Sequence, residues 1–592
     1  MATRNFQTLF TLVSLSIHVL QALSLPACPP TSDADFDFVV VGAGVGGGPI
    51  AARLAESGFS VLVVDAGHDV VNVDTTIPFY FFRAVGDPQL ELNYTYAEYS
   101  PGAKFPRDDS WYPRAQAIGG STVHNALLNN IAVTGGDFDN LATMFNDSTW
   151  TYENMRSYFK RIEHNLDFNK SNPDHGFDGW LKTSLSLSSI PAKPEFADPQ
   201  LQDIINTLAT SGPIVDDLNS VANDAAVGVG FPSYTIDENH NRSSIRDHLV
   251  RVQEQNHRKL HFALDTLATK ALLCEGGSGG SPTAYGVEIA PGAALAVASN
   301  FNGKQSLKTK TITVRHEVII SAGVFQSPQL LMLSGIGDRE QLSVNGIEPF
   351  VHLPGVGTNL QDHDEVSNIW TLKKNHTLFE GCTVLYTPED DPCLKFWIDS
   401  DHQNLYSLGV ASVMMMSRSS PDLPEPDIMI YWAPGNFPGF FHGFQDELAS
   451  TYNALAAIVL KAHPSTRGVV KLTGNHPQDP LQIEKPIKVA RSIVEHPKIT
   501  QHVEAQLFPG PDEEIDDHIL EHMFGHHACC TNPMGTDDDP NAVLDGNFKV
   551  RRVNNLRVVD ISSWPNVPGW FVTTPTYMIS EKAADVIIAA TN

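Results

Sequence analysis

Positive charge is scarce in this sequence. The 592 residues include 39 Lys and Arg against 68 Asp and Glu, which gives a formal net charge of −29. A surface of this sign repels the phosphate backbone of nucleic acids, so we predict no nucleic-acid partner. The acidic residues are dispersed along the chain rather than collected in a tail.

Long apolar runs and metal-type cysteine pairs are also missing. After the N-terminal segment, no stretch reaches the roughly 18 apolar residues that a membrane-spanning helix requires, and we predict no membrane span. None of the six cysteines belongs to a C-x-x-C pair, and we predict no metal site. Apolar residues nevertheless make up 42% of the chain, which excludes a disordered or collagen-like protein.

The N-terminus has the pattern of a secretory signal peptide. Arg4 precedes an apolar run from Leu9 to Leu20, and small residues follow up to Ser24. A basic start, a short apolar centre and small residues near the end are typical of a cleaved leader over residues 1–24. The alternative is a buried N-terminal helix. A leader predicts a secreted protein, whose sequons are glycosylated on surface loops. These sequons are Asn93, Asn146, Asn169, Asn241 and Asn375.

The cysteines suggest one disulfide. In an oxidising compartment Cys382 and Cys393 are plausible partners across a short loop. Cys529 and Cys530 are adjacent, and a bond between neighbouring cysteines requires strained geometry. We therefore expect this pair to be unbonded, as small buried apolar side chains.

A dinucleotide-binding fingerprint follows the N-terminal segment. Residues 36–41 form a β-rich apolar run, and a G-x-G-x-x-G pattern, a helical segment and a second strand come next. In this order Gly42 permits a tight turn, Gly44 lets the backbone approach a pyrophosphate, and Gly47 lets helix and strand pack closely. Asp65 ends the second strand, where it can accept from a ribose hydroxyl; this argues against NADP but does not separate NAD from FAD. The alternative is a tight turn without a ligand.

Residues 365–500 are richer in Trp, Met, Pro and aromatic residues, and include the loop Trp432–Phe441. This composition suits a substrate-facing layer or lid. An ordinary core with an irregular loop fits each single residue there equally well.

The motifs together resemble the glucose–methanol–choline (GMC) oxidoreductases, a family of FAD-dependent enzymes. The resemblance runs from about residue 36 to residue 588. It rests on the fingerprint and on four further segments, residues 117–125, 323–337, 353–363 and 555–560. It implies FAD and an α/β fold (α+β overall), with a Rossmann-like FAD-binding domain and a substrate domain built on an antiparallel sheet. The implied FAD domain is discontinuous (residues 36–160, 240–350 and 505–592), and the substrate domain comprises residues 161–239 and 351–504.

The resemblance also implies which residues contact FAD. Gly119 and Gly120 allow backbone contact with the ring and phosphates, and Asn125 can donate to the ring. In choline oxidase-like members, a histidine just before this asparagine is linked covalently to the flavin, and His124 falls there. The alternative is a histidine hydrogen-bonded near the isoalloxazine. The implied set in these later motifs is Gly119, Gly120, Ser121, His124, Asn125 and Asp560.

Residues 525–534 resemble the catalytic histidine motif of the family, with Cys530 where glycine is usual. Counting back from Thr531 and Met534 selects His527 as the base, with His526 as the more structural member of the pair. Alcohol oxidation sends a hydride to flavin N5, and a neutral imidazole accepts the hydroxyl proton.

One departure from the family concerns its second polar residue. The family normally has His or Asn downstream of Asp560, and here Phe571 occupies that place. A phenyl ring cannot hydrogen-bond an alkoxide. Either His526 takes over, or one base suffices, or net oxidation is lost as in enzymes of the versicolorin B synthase type.

The predicted function is that of a secreted FAD-dependent oxidoreductase. Its substrate is a small aromatic or polyketide-derived alcohol, and oxygen or a quinone is the electron acceptor. Residues 569–585 are similar to the fungal secondary-metabolism branch of the family, which includes aryl-alcohol oxidase, patulin synthase and versicolorin B synthase types. The first alternative is an FAD-binding, non-redox cyclase or dehydratase, and the second is a flavin-binding protein without catalysis.

Overall fold

The computed structural model describes residues 25–99, 107–185, 198–276, 280–292, 295–296, 306–384, 387, 389–402, 404–409, 411–450, 453–486, 503–509 and 514–591. The predicted signal peptide, residues 1–24, lies outside this part of the chain. Among the described residues, no helix combines the length and the apolar character that crossing a bilayer would require.

Strands and helices are interspersed along the described chain, and several strands follow one another without an α-helix between them. The strands are β1 (Phe36–Val41), β2 (Val61–Val64), β3 (Tyr94–Tyr99), β4 (Arg107–Tyr112), β5 (Leu128–Asn129), β6 (Glu163–Asn165), β7 (Leu181–Thr183), β8 (Ile214–Val215), β9 (Gly228–Gly230), β10 (Ser233–Tyr234), β11 (Leu260–Ala263), β12 (Thr266–Cys274), β13 (Thr283–Pro291), β14 (Lys310–Ile320), β15 (Ile336–Gly337), β16 (Val351–His352), β17 (Asp364–Leu372), β18 (Val413–Ser417), β19 (Ile428–Pro434), β20 (Ala454–Lys461), β21 (Val469–Leu472), β22 (Leu481–Pro486), β23 (Val503–Phe508) and β24 (Leu556–Val558).

The α-helices are mostly short, and the longest ends the described chain. They are α1 (Gly47–Glu56), α2 (Val73–Thr76), α3 (Phe81–Val85), α4 (Gly136–Phe145), α5 (Tyr152–Ile162), α6 (Pro199–Ala209), α7 (Ile245–Gln255), α8 (Gly323–Leu333), α9 (Arg339–Val344), α10 (Pro392–Asp399), α11 (Phe444–Ser450), α12 (Ile515–His522) and α13 (Thr573–Thr591).

The first large sheet has the order β11–β2–β1–β14–β13–β12, with β24 also paired to β14. Strands β2, β1 and β14 of this sheet are parallel, because β1 pairs in parallel with both β2 and β14. Parallel strands are covered on both faces and need continuous apolar runs, and the last four residues of β1 are all buried. Helix α1 follows β1 and packs against α7 and α13. The α/β fold with a Rossmann-like half, predicted from the sequence, is confirmed.

The second large sheet has the order β23–β17–β20–β19–β18–β9–β8 and is antiparallel except between β8 and β9. Its central strand β20 is buried along seven of its eight residues. Apolar side chains therefore cover both faces of this sheet, one of which faces the cavity described below.

A third sheet, of order β21–β22–β3–β4, joins segments assigned to different domains by the sequence. Strands β3 and β4 fall within the predicted FAD-domain segments, whereas β21 and β22 fall within the predicted substrate-domain segments. The domain boundaries themselves stay a prediction.

Three disulfides are formed among the described residues. Cys382 and Cys393 are joined, as their spacing predicts. Cys28 is bonded to Cys274, which lies 246 residues away. Cys529 and Cys530 are also bonded, so the expectation of an unbonded pair was wrong. Cys530 has a φ of 76°, so the bonded pair lies in a left-handed turn and not in extended backbone.

The predicted glycosylation sites differ in exposure. Asn146, Asn169 and Asn375 are exposed, whereas Asn93 and Asn241 are half-buried. Glycosylation at all five stays a prediction.

The buried side chain of His175 lies between two carboxylates, one on strand β6 and one in a loop. Nδ1 of His175 lies 2.9 Å from Oε2 of Glu163, and its Nε2 lies 2.9 Å from Oδ2 of Asp217. Burial opposes protonation, but hydrogen bonds to Asp217 and Glu163 raise the pKa of His175 to about 9. The imidazolium therefore stabilises the fold at neutral pH.

We expect His175→Gln to lower the free energy of unfolding by up to about 3 kcal/mol below pH 6.5. The folded-state pKa lies above the unfolded value, so this advantage is full below pH 6.5 and disappears as pH rises through about 9. Urea melts of both proteins between pH 6 and 9.5 measure the difference. A difference that stays constant with pH would contradict a charged His175.

Candidate active site

One long cavity connects the two large sheets. It begins at the glycine turn after β1, passes the segment Gly120–Asn125 and ends at His526, His527 and Phe571. The carboxyl ends of parallel strands and the first helix N-terminus meet at its beginning, which is where open α/β sheets bind dinucleotides.

The glycine turn has no room for side chains. Gly42 has a φ of 105°, and a Cβ there would lie 2.2 Å from the carbonyl oxygen of Ser321. A Cβ at Gly47 would lie 2.1 Å from the carbonyl oxygen of Gly42, because α1 packs directly on the turn. Gly44 and Gly120 pack directly against each other at the cavity wall, where a Cβ on Gly120 would lie 2.9 Å from the Cα of Gly44.

Asp65 braces this turn. Its Oδ2 accepts from the backbone N–H of Ala43 at 2.8 Å, and its Oδ1 accepts from the N–H of Gly67 at 2.9 Å. Burial raises the pKa of Asp65 to about 6. The residue also lines the cavity, where the sequence places a ribose-binding carboxylate.

The segment after Gly119 lines the middle of the cavity. Gly119 and Gly120 have φ values of 97° and 54°, and a short 3₁₀-helix over Gly120–Val123 follows. Ser121 lines the cavity, and its Oγ accepts from the N–H of Ala115 at 3.3 Å. The Oδ1 of Asn125 accepts from Arg242 at 2.7 Å, which fixes this amide at the cavity wall.

His124 is buried with one ring nitrogen unsatisfied. Only 4% of the residue is exposed, and its Nδ1 has no hydrogen-bond partner within the described part of the chain. Burial lowers the pKa of His124 to about 3, so the imidazole is neutral. An unsatisfied polar atom on a cavity wall is costly unless a ligand contacts it.

Asp560 lines the cavity beside the start of α8. Its Oδ2 accepts from the N–H of Gly323 at 2.8 Å and from the Oγ of Ser327 at 2.6 Å. Burial raises the pKa of Asp560 despite these bonds. The glycine turn, the neutral His124 and this carboxyl group fit FAD: they offer close backbone approach, free helical N–H groups and an unpartnered nitrogen.

His527 lines the far end of the cavity, 7% exposed. Its Nδ1 lies 3.0 Å from Nδ1 of His363 and 3.4 Å from Oε1 of Glu365. Burial, followed by the neighbouring His526 and His363, lowers the pKa of His527 well below its usual value. The ring is therefore a neutral imidazole, which is the form that accepts a proton.

Two side chains behind His527, those of Glu365 and Tyr431, were missed by the sequence analysis. Glu365 is fully buried, accepts a hydrogen bond from the hydroxyl of Tyr431 and lies 3.4 Å from Nδ1 of both His526 and His527. Burial raises the pKa of Glu365 to about 8. The donor atoms of Glu365, His526 and His527 lie within 4.8 Å of one another, a spacing that could hold a metal ion, although the sequence predicts no metal site.

The backbone of His527 is held independently of its side chain. Its N–H donates to Oδ1 of Asp362 at 2.7 Å, and the next N–H, of Ala528, donates to the hydroxyl of Tyr112 at 2.7 Å. Tyr112 in turn donates to Oδ2 of Asp362 at 2.7 Å. The segment 353–363, singled out in the sequence, thus supplies both the backbone anchor and His363.

Aromatic rings form the wall around the two histidines. Phe571 is 5% exposed and its ring centroid lies 5.7 Å from that of His527. The ring centroid of Phe440 lies 4.9 Å from that of His526. His526 lines the cavity with a side chain that is 23% exposed, and burial lowers its pKa to about 3. The structure thus places Phe571, His526 and His527 together.

The lowered pKa of His527 has a consequence for the pH profile. A base is inactive once protonated, so kcat/KM falls as pH drops through the pKa of His527. Because burial lowers that pKa, we expect kcat/KM to be flat from pH 7.5 down to 6.5 and to fall only below pH 6.5. Steady-state kinetics across pH 4.5–8 measure the profile. A midpoint above 6.5 would contradict a buried neutral base.

The comparisons with known proteins agree with this geometry. The N-terminal GMC oxidoreductase model matches residues 36–365, and the C-terminal GMC oxidoreductase model matches residues 464–580. The chain therefore belongs to the GMC oxidoreductase family, whose cofactor is FAD.

Individual relatives cover nearly the whole chain. The oxygen-dependent choline dehydrogenase of Rhizobium etli is 28% identical over 569 residues, which is 93% of this chain and 95% of that protein. An alcohol dehydrogenase [acceptor] of Pseudomonas putida is 28% identical over 572 residues, 93% of this chain and 96% of that protein. Among solved structures, a variant of the Aspergillus oryzae formate oxidase, studied for modification of its FAD, shares the fold with a TM-score of 0.77, at 20% identity over 94% of this chain and 98% of that one.

Proposed function

We propose that this protein oxidises the CH–OH group of a small aromatic or polyketide-derived alcohol, with His527 as the base. The observation that carries the proposal is a neutral imidazole, held from behind and exposed to an aromatic-lined end of the FAD cavity. The alcohol gives up its hydroxyl proton to this imidazole. General-base assistance of this kind contributes roughly 10²–10⁴-fold to rate.

His363 determines which nitrogen of His527 accepts the proton. An imidazole that accepts at Nε2 must carry its own hydrogen on Nδ1, and a partner for that N–H fixes the tautomer. Nδ1 of His363, 3.0 Å away, is that partner. Burial raises the pKa of Glu365 to about 8, so this carboxyl is mainly protonated at neutral pH. Burial and the nearby cations Arg114 and Lys485 disfavour an imidazolium, which keeps the resting His527 neutral.

FAD would be held by the glycine turn, Asp65, the Gly119–Asn125 segment and Asp560. When bound, it supplies the acceptor for the hydride of the alcohol carbon. His124 is the candidate for a covalent link to the flavin, supported by its buried, unpartnered Nδ1.

The wall composition supports an uncharged substrate. Around the histidines the lining is aromatic and aliphatic, with Tyr431, Phe437, Phe440, Leu448 and Phe571. The carboxylates that line the cavity, Asp65 and Asp560, both lie beside the glycine turn. At the histidine end the carboxyl of Glu365 lies behind the histidines and is not part of the lining. A cationic substrate would therefore find no carboxylate of the cavity wall to pair with and would be poorly solvated.

Anaerobic mixing tests the proposal directly. The FAD-loaded protein is mixed with a panel of aromatic and polyketide-type alcohols while the flavin absorbance is recorded. We expect bleaching with at least one alcohol and a product lighter by two hydrogens. Recovery of colour on admitting air identifies oxygen as acceptor, and recovery only with a quinone identifies a dehydrogenase. Substrate consumption without any bleaching would contradict alcohol oxidation.

Phe571 favours a second candidate, a non-redox cyclase or dehydratase that uses the same base. A ring that cannot hydrogen-bond an alkoxide lies 5.7 Å from the ring of His527. In this reaction His527 removes a hydroxyl proton and the oxygen attacks within the substrate. The product would have the mass of the substrate, or be one water lighter, while the flavin stays oxidised. Mass spectrometry of the product separates the two reactions.

We further propose that the protein is secreted, glycosylated and active in secondary metabolism. Disulfides persist in oxidising compartments, and three are present here, which supports secretion. A mature N-terminus near residue 25, and a mass shift on treatment with a glycosidase, are the expected results. A retained N-terminus and an unshifted mass would contradict secretion through this leader.

A further inference from the structure

Three residues beyond the base, the chain turns through a conformation that suits glycine. Cys530 is fully buried and has a φ of 76°. Side chains disfavour this left-handed region, and only glycine adopts it without cost. A cysteine in this conformation therefore requires something that holds the turn.

The disulfide to Cys529 supplies that restraint. A bond between adjacent cysteines closes a small ring through their shared peptide group, and this limits the backbone conformations open to the second residue. Cys529 is also fully buried, so the bond is shielded from solvent thiols.

The turn is hydrogen-bonded to two segments of the chain, one that anchors His527 and one on the cofactor side of the cavity. Cys529 exchanges backbone hydrogen bonds with Gln361, at 2.8 and 3.2 Å, next to Asp362, which anchors the backbone of His527. The N–H of Cys530 donates to the carbonyl of Ile561 at 3.1 Å, next to Asp560 on the cofactor side. A shift of this turn would therefore move His527 relative to the cofactor wall.

We propose that the Cys529–Cys530 disulfide is a positioning element that holds a turn suited to glycine and fixes His527 against the cofactor. The proposal rests on the proposed function of His527 as the base. Misplacement of a reacting group by about 1 Å costs on the order of 10²-fold in rate, so a loosened turn lowers kcat more than it changes KM.

Two double variants separate the bond from the backbone conformation. In Cys529→Ala/Cys530→Gly the bond is lost but glycine adopts the turn freely, and we expect kcat within about threefold of wild type. In Cys529→Ala/Cys530→Ala the Cβ stays and the bond is lost. We expect kcat to fall by about tenfold or more, with a shifted acidic limb of the pH profile and a smaller change in KM.

The matched control removes a different disulfide. Cys382→Ala/Cys393→Ala breaks a bond that lies outside the segment of His527, and its kcat should equal that of wild type even if its melting temperature falls. Peptide mapping of the unreduced wild-type protein should recover residues 529 and 530 two hydrogens lighter than the dithiol form. A dithiol mass would overturn the proposal without any activity measurement.

The kinetic outcomes each have one meaning. Wild-type kcat in the Ala/Ala variant, or an equal loss in both double variants, would overturn a positioning role through the turn. If the Ala/Ala variant does not fold, the Gly variant and the peptide map still decide the matter. Full turnover in a His527→Ala protein would instead remove the proposed base, while the peptide map would still report the disulfide.

Discussion

His527→Ala should lower kcat/KM by about 10²–10⁴-fold, the usual contribution of a general base, while the protein keeps its fold and its FAD. Among the described residues, the side chain makes one hydrogen bond, to His363. The anchor of this segment is the backbone N–H bond to Asp362, which alanine retains. The residue therefore contributes far more to proton removal than to the positions of its neighbours.

Stopped-flow reduction of the flavin by the best alcohol measures this loss, and the flavin spectrum and a thermal melt report cofactor content and folding. His261→Ala on β11 is the matched control, since His261 is absent from the cavity wall, and we expect its rate within about twofold of wild type. A His527→Ala rate within tenfold of wild type would show that another group removes the proton.

Local patterns in the sequence predict the glycine turn and Asp65, both of which line one end of the cavity. They are read from a few consecutive residues, because a strand, a tight turn and a helix N-terminus are local structures. Asp560, His527 and Phe571 were predicted through the resemblance to a family instead, and the structure brings His527 and Phe571 to one wall. The roles of these residues stay predictions.

The residues behind His527 could not be predicted, because sheet pairing brings them there. Tyr431 on β19 and Glu365 on β17 meet across the intervening strand β20. Such pairings join segments 66 residues apart and leave no periodic signal. The bond between Cys28 and Cys274 also joins distant parts of the chain, with a separation of 246 residues.

Lys485→Met should destabilise the protein by about 3–5 kcal/mol, because it breaks a buried ion pair by removing one partner. Only 5% of the Lys485 side chain is exposed, and its Nζ lies 3.4 Å from Oδ2 of Asp362 and 3.2 Å from Oδ1 of Asp364. Burial opposes its charge, but these two carboxylates raise the pKa of Lys485 above its usual value. Methionine has a similar length and removes the cation that contacts both carboxylates.

We also expect Lys485→Met to lower the catalytic rate, because Asp362 holds the backbone of His527. Lys395→Met is the matched control: Lys395 pairs with Asp399 on an exposed helix face, with more than half of each side chain exposed, and such a pair is worth about 0–1 kcal/mol. Urea melts of the three proteins give the two free-energy differences. A loss below about 1 kcal/mol for Lys485→Met would mean that Asp362 and Asp364 take up protons in the folded state instead, and the deficit should then shrink as pH is lowered toward 4.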